Sequence, residues 1–349
     1  MFALESIKAK HGDCLLLHWG KENDPKIGLI DGGPDTIYAN FLKPRLKKLA
    51  QERNKPKLPL DMTMVSHIDD DHINGILDLA DDIENGGAPA DIRLLWFNSL
   101  EELLKDKIAE GSTAQVTAAV NALAAPVENE WHKKVLASVP QGQQLHAFAK
   151  RTGIFAQMNS PFQPLVMNTK QAATKVAGLS LTVIGPFADE VEELRKKWKQ
   201  LRQKGITAAF SDPSPYNLSS IVVLCEFDGK KMILTGDARG DKVLEGLQVR
   251  GLLKNGKLHV DLLKLPHHGS KNNVTKGFFE QLTADVYVVS GDNVKFKNPA
   301  KQAMTWLSEA RGNDNYQVFC PYDLKYMKDI FGKKLTTPKG NATSVTASL

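Results

Sequence analysis

The feature that most constrains the fold is the recurrence of short apolar segments that end in loops rich in Asp and His. These segments fall in two successive halves, roughly residues 1–98 and 178–310, and helical segments alternate with them. Short, turn-bounded runs rich in branched residues are typical of strands. Strands that alternate with helices are typical of layered α/β proteins. The pattern therefore predicts two packed sheets with helices on their outer faces.

Individual segments follow this scheme. The predicted strands are ALESIKA, CLLLHW, KIGLIDGG, MTMVSH, IRLLWFNS, LSLTVIGP, SSIVVLCEF, KKMILTGDA, HVDLLKLPHHG and ADVYVVSGDN, with FDGK as a hairpin turn. Helical spacing predicts helices at 38–53, in GILDLADDI and in ADEVEELRKKWKQLRQK. From about 100 to 177 the pattern is helical and polar without a chemical cluster, so we interpret it as an inserted helical segment. The tail from about 335 is predicted to fray.

Composition places the chain among globular proteins. Apolar residues make up 42% of its 349 residues and charged residues 24%, which is enough to bury a substantial core. The length allows two modest domains, but we expect one elaborated domain spanning 1–349. No apolar run reaches the roughly 18 residues of a membrane span, and the start lacks a signal-peptide pattern. Three widely spaced cysteines, Cys14, Cys225 and Cys320, favour reduced thiols in a cytoplasmic protein without a membrane partner.

The charge balance leaves the substrate open. Basic residues number 45 against 40 acidic ones, and this net charge of +5 falls short of a nucleic-acid-binding signature. Few aromatic residues accompany basic ones outside the predicted insert, so no stacking platform for single strands is evident.

The strongest chemical signal is the segment MVSHIDDDHINGI. His67, Asp69, Asp71 and His72 lie within six residues, directly after an apolar strand. Adjacent carboxylates repel one another unless water or cations neutralise them, and imidazoles beside oxygen ligands suit Zn²⁺, Mn²⁺ or Fe²⁺. The alternative is a solvated acidic turn that holds two histidines. The cluster favours a metal site.

Two later segments repeat this form. KLPHHGS ends an apolar strand in His267 and His268, and MILTGDA places Asp237 after a glycine at another strand end. Taken alone, each has an ordinary interpretation, since histidines are often hydrogen-bonded elements of a fold and an Asp after a strand is often a turn residue. Together with the first segment they predict a metal centre built from three strand ends.

These three segments resemble motifs of the metallo-β-lactamase superfamily. HIDDDH is similar to the H-x-H-x-D-H signature, with Asp69 in place of the second His, and LTGDA and LKLPHHGS resemble later motifs. The combination most resembles the ComEC-like group, which includes soluble stand-alone members, and it runs from HGDCLLL to the Asn298–Pro299 pair outside the insert. The resemblance implies a four-layer αββα metallo-β-lactamase-like sandwich with a helical insertion.

The resemblance also implies the ligands of two divalent ions, Zn or Mn. His67 and Asp69 match one site, Asp71 and His72 match the other, and Asp237 matches a carboxylate that bridges them. His268 is favoured over His267 to complete the second site, although the sequence leaves both open. Asp71 and Asp237 are the residues whose loss is expected to abolish catalysis.

Other members of the superfamily carry a further His before the bridging Asp. Here SPYNLSSIVV occupies that place, so Asn217 is expected near the metals, or else the first site binds a metal more weakly. His132 and His146 lie in the predicted insert and are poor substitutes.

Further polar residues are candidates for supporting roles. Asp13 and Asp31 end strands beside the site in the family, where either can hold a ligand histidine through a hydrogen bond, although ordinary turn chemistry explains them equally well. We also expect substrate-facing roles for a small set of polar side chains. These are Ser270, Asn217, Asn293 and Asn298.

The predicted function is a metal-dependent hydrolase, most of all a phosphodiesterase or nuclease acting on DNA or RNA. Paired divalent ions generate hydroxide at neutral pH and neutralise charge that develops on the attacked group, and a phosphodiester gains most from this. The resemblance implies a nuclease as well. The alternatives are a hydrolase of a small ester, lactone, amide or cyclic nucleotide, and a catalytically silent sensing or binding subunit of a bacterial multi-protein system. Protein partners are not predicted.

Overall fold

Two large β-sheets form the centre of the structure, a computed structural model that describes residues 1–99, 102–103, 130–204 and 215–349. Side chains at 130–139, 197–204 and 215–216 lie outside this description. The first seven strands are β1 (Phe2–Ile7), β2 (Cys14–Lys21), β3 (Asp24–Gly32), β4 (Leu58–Leu60), β5 (Met62–Val65), β6 (Ala90–Ile92) and β7 (Leu95–Phe97). The next five are β8 (Thr174–Val176), β9 (Leu179–Gly185), β10 (Val222–Phe227), β11 (Lys230–Leu234) and β12 (Leu258–Lys264). The last four are β13 (Leu282–Val288), β14 (Gln317–Phe319), β15 (Leu335–Thr336) and β16 (Ser344–Ser348).

The strands divide into two mixed sheets and one small pair. The first sheet has the order β16-β1-β2-β3-β5-β7, and the second has the order β15-β14-β13-β12-β11-β10-β9-β8, while β4 pairs with β6. In the first sheet, β3, β5 and β7 run parallel to one another. In the second, β11 to β15 run parallel. Each sheet therefore has parallel strands whose carboxyl ends meet at one edge, where ligand sites commonly form.

Helices cover the outer faces of both sheets. They are α1 (Lys43–Glu52), α2 (Asp70–Glu84), α3 (Glu130–Thr152), α4 (Ala188–Lys204), α5 (Gly240–Val249), α6 (Lys276–Gln281), α7 (Lys301–Arg311) and α8 (Lys325–Phe331). Short helical turns lie at 38–42, 154–157, 215–219, 266–269 and 332–334. Among the described residues, no helix combines the length and the apolar character needed to cross a membrane.

Three buried apolar clusters show how the layers stack. The middle cluster lies between the sheets and joins Leu17 and Trp19 of β2 to Leu181 of β9 and Leu234 of β11. A second cluster packs α1, α2 and part of α3 against the first sheet. A third packs α5 to α8 against the second sheet. The order of layers is thus helices, sheet, sheet, helices, and the predicted four-layer αββα sandwich is confirmed.

The C-terminal tail was predicted wrongly. It does not fray, because β16 pairs antiparallel with β1 at the edge of the first sheet, with Ala3 opposite Ser348 and Ile7 opposite Ser344. Val345 and Ala347 are buried, whereas Thr346 and Ser348 are exposed. This alternation is that of a half-buried strand, and β1 supplies hydrogen-bond partners that sequence inspection does not reveal.

The predicted insert is described only in part. Residues 104–129 lie outside the described residues, and so does the side chain of His132. The described portion contains α3, whose Leu145 and Phe148 join the cluster around α2. His146 is buried in α3, beside Phe155. The single domain over 1–349 stays a prediction.

Helix α2 begins earlier than the sequence suggested, at Asp70 instead of near Gly75. Asp71 and His72 therefore lie in its first turn, where negative charge favours the helix N-terminus. A Cβ added at Gly75 would lie 2.0 Å from the carbonyl oxygen of Gly32, so only glycine allows α2 to approach the end of β3 this closely. This approach brings His72 against Asp31.

Candidate metal centre

The candidate site lies where strands of both sheets end. His67 follows β5, Asp237 follows β11, and His267 and His268 follow β12, while His72 comes from α2. The structure brings all seven predicted ligands to this edge, together with Asp13 and Asp31. These ligands are His67, Asp69, Asp71, His72, Asp237, His267 and His268.

Asp237 is the centre of the cluster. Its Oδ1 lies 3.3 Å from Nε2 of His72 and 3.4 Å from Nε2 of His268. Its Oδ2 lies 3.3 Å from Nε2 of His267 and 3.7 Å from Nε2 of His67. The two oxygens of one carboxylate therefore divide four histidines into two pairs, which we call the Oδ1 side and the Oδ2 side.

Each side has a further carboxylate. Asp71 Oδ2 lies 3.6 Å from Nε2 of His268 on the Oδ1 side, and Asp69 Oδ2 lies 3.7 Å from Nε2 of His67 on the Oδ2 side. The side chains of Asp71 and Asp69 are 15% and 23% exposed, whereas that of Asp237 is 3% exposed. The His267 side chain is 19% exposed, so the cluster is reached by solvent at Asp69, Asp71 and His267. Both His267 and His268 face Asp237, on opposite sides.

Hydrogen bonds fix the rings on the Oδ1 side from behind. Nδ1 of His72 lies 2.8 Å from Oδ2 of Asp31, which also accepts a hydrogen bond from the Ser66 hydroxyl, while Oδ1 of Asp31 accepts one from the Ser66 backbone N–H. Nδ1 of His268 lies 2.9 Å from Ser290 Oγ and 3.3 Å from Asp13 Oδ1. The hydrogen bonds expected from Asp13 and Asp31 are therefore present, and their partners orient each Nε2 towards Asp237.

The rings on the Oδ2 side are held by neutral groups. Nδ1 of His267 lies 2.9 Å from Asn273 Oδ1, and Nδ1 of His67 lies 3.1 Å from Ser66 Oγ. Asn217, expected near the metals, is buried with Nδ2 3.5 Å from Nδ1 of His267. Asn217 therefore lies behind the His267 ring.

The donor set fits a cation. Nε2 of His67, His72 and His268 and Oδ1 of Asp237 are buried without a hydrogen-bond partner. A neutral imidazole that donates from Nδ1 presents a lone pair at Nε2. The ring nitrogen and the carboxylate oxygen that it faces are then both acceptors and cannot hydrogen-bond to each other. Buried polar atoms without partners are costly. Protons or metal ions between these atoms remove that cost.

The electrostatics agree with this requirement for positive charge. Burial favours the neutral acid, but the His267, His268 and His72 imidazoles outweigh it and hold the pKa of Asp237 well below its usual range. Burial lowers the pKa of His268, yet the Asp237 and Asp13 carboxylates more than offset it and raise that pKa to about 9. The pKa of His72 is raised well above its ordinary value for the same reason, with Asp237 and Asp31 as its partners.

The turn that presents His267 and His268 is strained. Both residues adopt left-handed backbone conformations, with φ of 46° and 54°. Non-glycine residues rarely do so, and each such residue costs roughly 1–3 kcal/mol. A hydrogen bond of 3.0 Å from His267 N to the carbonyl of Gly236 holds the turn against the Asp237 loop. The strain allows two consecutive side chains to face the same carboxylate.

Three residues that are predicted to contact substrate have hydrogen-bond partners within the protein. Ser270 is buried, and its Oγ accepts a hydrogen bond from Asn272 N. The Asn298 side-chain amide donates to the carbonyl of His267 at 3.4 Å, and that of Asn293 donates to Pro299 O at 2.8 Å. These side chains hold the loops beside the site, and their contact with substrate stays a prediction.

Sequence reasoning missed the residues behind the histidines, above all Lys264. Its ammonium is buried and lies 2.7 Å from Asp13 Oδ2. Burial raises the pKa of Asp13, but Lys264 and His268 reverse this and lower it far below its usual range. The signal was present, since Lys264 interrupts the apolar strand VDLLKLP. Ser66, Asn273 and Ser290 carried no comparable signal.

Comparison with known proteins gives limited likeness. No family model matches the chain. Over 122 residues it is 30% identical to ComE operon protein 3 of Bacillus subtilis (strain 168), a match that covers 34% of this chain and 15% of that protein. The matched segment is thus a small part of that relative.

Comparison with solved structures gives low-scoring matches, three of which are bacterial proteins. A metal-dependent hydrolase from Parabacteroides distasonis has 11% identity, a TM-score of 0.39 and 90% coverage of both chains. The metallo-β-lactamase fold protein YhfI from Bacillus subtilis has 9% identity, a TM-score of 0.39 and 99% coverage of both. Zn²⁺-bound PqqB from Methylobacterium extorquens has 10% identity, a TM-score of 0.40 and coverage of 96% of this chain and 87% of that one. At TM-scores below 0.5 these likenesses carry no argument about the reaction.

Proposed function

We propose that this protein is a metal-dependent hydrolase that uses two divalent ions, Zn or Mn, to cleave phosphodiesters in DNA or RNA. The observation that carries the proposal is the convergence of four imidazole Nε2 atoms on the two oxygens of Asp237, with a partly exposed carboxylate beside one imidazole on each side. A site for one cation would need only one group of imidazole and carboxylate ligands. Two sets that share a carboxylate suit a pair of ions.

The proposed ligands follow the two sides of Asp237. His72, His268 and Asp71 would hold one ion on the Oδ1 side. His67, His267 and Asp69 would hold the other on the Oδ2 side. Asp237 would bridge both. When bound, such ions activate water and neutralise negative charge on the attacked group.

The chain's own residues keep these ligands ready. Asp31 and Asp13 hold the His72 and His268 rings with their Nε2 atoms inward, and Lys264 fixes Asp13 in turn. Because these groups are buried and hydrogen-bonded, we expect them to hold the ligands in place before substrate arrives, which lowers the cost of reaching the transition state. The open side at Asp69 and Asp71 is where we expect substrate to enter.

A phosphodiester is the best-supported substrate class for three reasons. Its transition state carries one more negative charge than that of a neutral ester, so it gains more from paired cations. The motifs HIDDDH, LTGDA and LKLPHHGS resemble those of the ComEC-like group, and this resemblance implies nuclease activity. The likeness to ComE operon protein 3 over 122 residues agrees with that resemblance. Small esters, lactones and cyclic nucleotides remain the alternative substrates, and a silent sensing subunit remains the alternative role.

Metal analysis and hydrolysis assays test the proposal. Protein purified without chelator should contain up to two equivalents of divalent metal. With added Mn²⁺ it should cleave single- or double-stranded DNA, RNA or bis-(p-nitrophenyl) phosphate. Asp237→Ala should reduce cleavage by about a hundredfold or more, because both ions lose a ligand.

The control is Asp61→Asn, which alters another buried aspartate at the opposite end of β5, where Asp61 accepts a hydrogen bond from Arg93. Asp61→Asn should retain cleavage activity. A contaminating nuclease, in contrast, would give cleavage in the preparations of both variants. Equal cleavage by the wild type and Asp237→Ala would refute the proposed site. If the protein hydrolyses lactones or esters but not phosphodiesters, the small-molecule hydrolase takes the place of the nuclease. If the purified protein contains only trace metal, the silent sensing subunit is favoured.

A further inference from the structure

The loop at 291–298, between β13 and α7, lies beside the candidate metal centre and is built rigidly. Asn293 N donates to the carbonyl of Asn298 at 2.7 Å, and the Asn293 amide donates to Pro299 O at 2.8 Å. These bonds close the loop at its base, so residues 294–297 form its tip. A hydrogen bond of 3.4 Å from Asn298 to His267 O ties the base to the strained turn of the site.

The tip carries an unusual sequence, Val-Lys-Phe-Lys, and all four residues are exposed. Val294 is 66% exposed and Phe296 is 40% exposed. Among the described residues, the other large apolar side chains that are exposed are Met1, Phe155 and Val249. A closed loop that presents a branched and an aromatic side chain between two lysines has a surface suited to binding.

A second contact places this tip next to the Asp71 side of the site. The Phe296 ring lies against the ring of His11, with centroids 5.2 Å apart, and Lys295 Nζ lies 3.5 Å from His11 Nε2. His11 precedes Gly12, where an added Cβ would lie 2.0 Å from the carbonyl oxygen of Asp71. The tip thus lies beside both the turn that carries His267 and the first turn of α2 that carries Asp71, at the rim of the metal centre.

We infer that the Val294–Lys297 tip binds single-stranded nucleic acid, with Phe296 stacking on a base and Lys295 and Lys297 contacting phosphates. This inference rests on the proposed function and names its substrate more closely. The few aromatic residues of the sequence did not indicate a stacking platform, but the exposed Phe296 supplies one in the structure. An exposed aromatic ring between cationic side chains is the combination by which proteins hold unpaired strands without reading their sequence. Bases within a duplex are already stacked, so the ring favours a single strand. Lys10 and Lys271, both exposed on neighbouring loops of the site, add to the positive charge.

Phe155 provides a matched control. It is 38% exposed, with a lysine Nζ 5.4 Å from its ring centroid and a histidine ring 5.1 Å away. The corresponding values for Phe296 are 40%, 5.2 Å and 5.2 Å. Phe155 follows α3, whose Arg151 pairs with Glu84 at the far end of α2 from His72. A general effect of losing an exposed aromatic would appear in both variants.

The experiment measures binding of a fluorescein-labelled 20-nucleotide DNA by anisotropy in EDTA, where no metal-dependent cleavage occurs. Phe296→Ala should weaken binding by between about fivefold and a hundredfold, while Phe155→Ala leaves it unchanged. Phe296→Leu should behave like Phe296→Ala, and Phe296→Trp should restore binding, because stacking requires a π face. Melting curves establish that each variant is folded.

The lysines have a separate readout. Lys297→Gln should lower the slope of log K against log salt concentration by about 0.7, the value for one lost phosphate contact on a single strand. Equal binding by Phe296→Ala and Phe155→Ala, full binding by Phe296→Leu, or a preference for duplex over single strand would each overturn the inference. If the binding effects appear but no phosphodiester is cleaved in Mn²⁺, the tip binds nucleic acid and only the proposed hydrolase activity is contradicted.

Discussion

Two buried clusters in this protein combine a carboxylate with histidine, and they differ in how the negative charge is balanced. Glu5 in β1 accepts hydrogen bonds from Arg45 at 2.8 and 3.0 Å and from the hydroxyl of Ser344 at 2.6 Å, and His18 lies 3.2 Å away. Asp237 faces four histidines and has no permanent cation among its contacts in the described structure. The negative charge of the Glu5 cluster is therefore balanced by a permanent cation within the protein, and that of the Asp237 cluster is not.

The difference shows what distinguishes a structural charge cluster from a site for a cation. Burying a carboxylate is costly unless a charge or hydrogen bonds compensate it. Arg45 supplies a charge that does not titrate, so Glu5 is stable without any added ion. The Asp237 cluster obtains positive charge only from protons on its histidines or from metal. We expect the two clusters to respond differently to metal ions, pH and mutation.

The largest expected difference is the response to divalent ions. At a Mn²⁺ concentration about 1,000 times the dissociation constant, binding to the folded state should stabilise the protein by about 4 kcal/mol. Melting curves recorded with EDTA and with Mn²⁺ measure this. Glu5→Gln should show the same metal-dependent shift as the wild type, and Asp237→Asn should show much less. Identical curves with and without metal would remove the distinction between the clusters.

The second prediction concerns Glu5. Burial raises its pKa, but the contacts with His18 and Arg45 outweigh this and lower the pKa from 4.5 to about 2. A lowered folded-state pKa contributes stability above pH 4.5 that is lost as the pH falls towards 2. Glu5→Gln should therefore destabilise the fold by about 2–3 kcal/mol at pH 7 and by less near pH 3.

Urea denaturation at the two pH values checks this prediction. Glu226→Gln is the control, because Glu226 is a partly exposed glutamate on β10 whose pair with Lys231 is 3.8 Å long. It should change stability little, since exposed pairs contribute roughly 0–1 kcal/mol. A Glu5→Gln penalty that does not shrink at low pH would mean that lost packing, and not charge, is responsible.

The smallest expected effect concerns the support behind the Asp237 cluster. Asp31→Asn keeps the shape of a side chain that holds Nδ1 of His72 but removes its charge. Loss of such a partner typically lowers metal affinity by about 10- to 100-fold. Calorimetric titration with Mn²⁺ measures this, with Asp61→Asn as the control. Unchanged affinity in Asp31→Asn would place Asp31 outside the metal centre.

Much of the fold followed from pattern alone. The alternation in ALESIKA, CLLLHW and KIGLIDGG gave β1 to β3, and FDGK gave the hairpin between β10 and β11, because these are local signals. The tail failed because its strand depends on β1, more than 330 residues earlier in the chain, as in the pairing of Ser6 with Val345. No local pattern announces a partner that distant.

The sequence by itself determined which chemical groups this protein offers. The segments HIDDDH, LTGDA and LKLPHHGS contain Asp237 and the six side chains that meet around it, because motifs at strand ends meet once the strands align. Only the tertiary structure decided how they are divided. Two consecutive left-handed residues send His267 to one oxygen of Asp237 and His268 to the other, and this turn is held against the distant Gly236 carbonyl by a hydrogen bond from His267 N. The buried Lys264–Asp13 pair and the exposed Phe296 tip likewise depend on contacts between segments distant in sequence, which composition and periodicity do not encode.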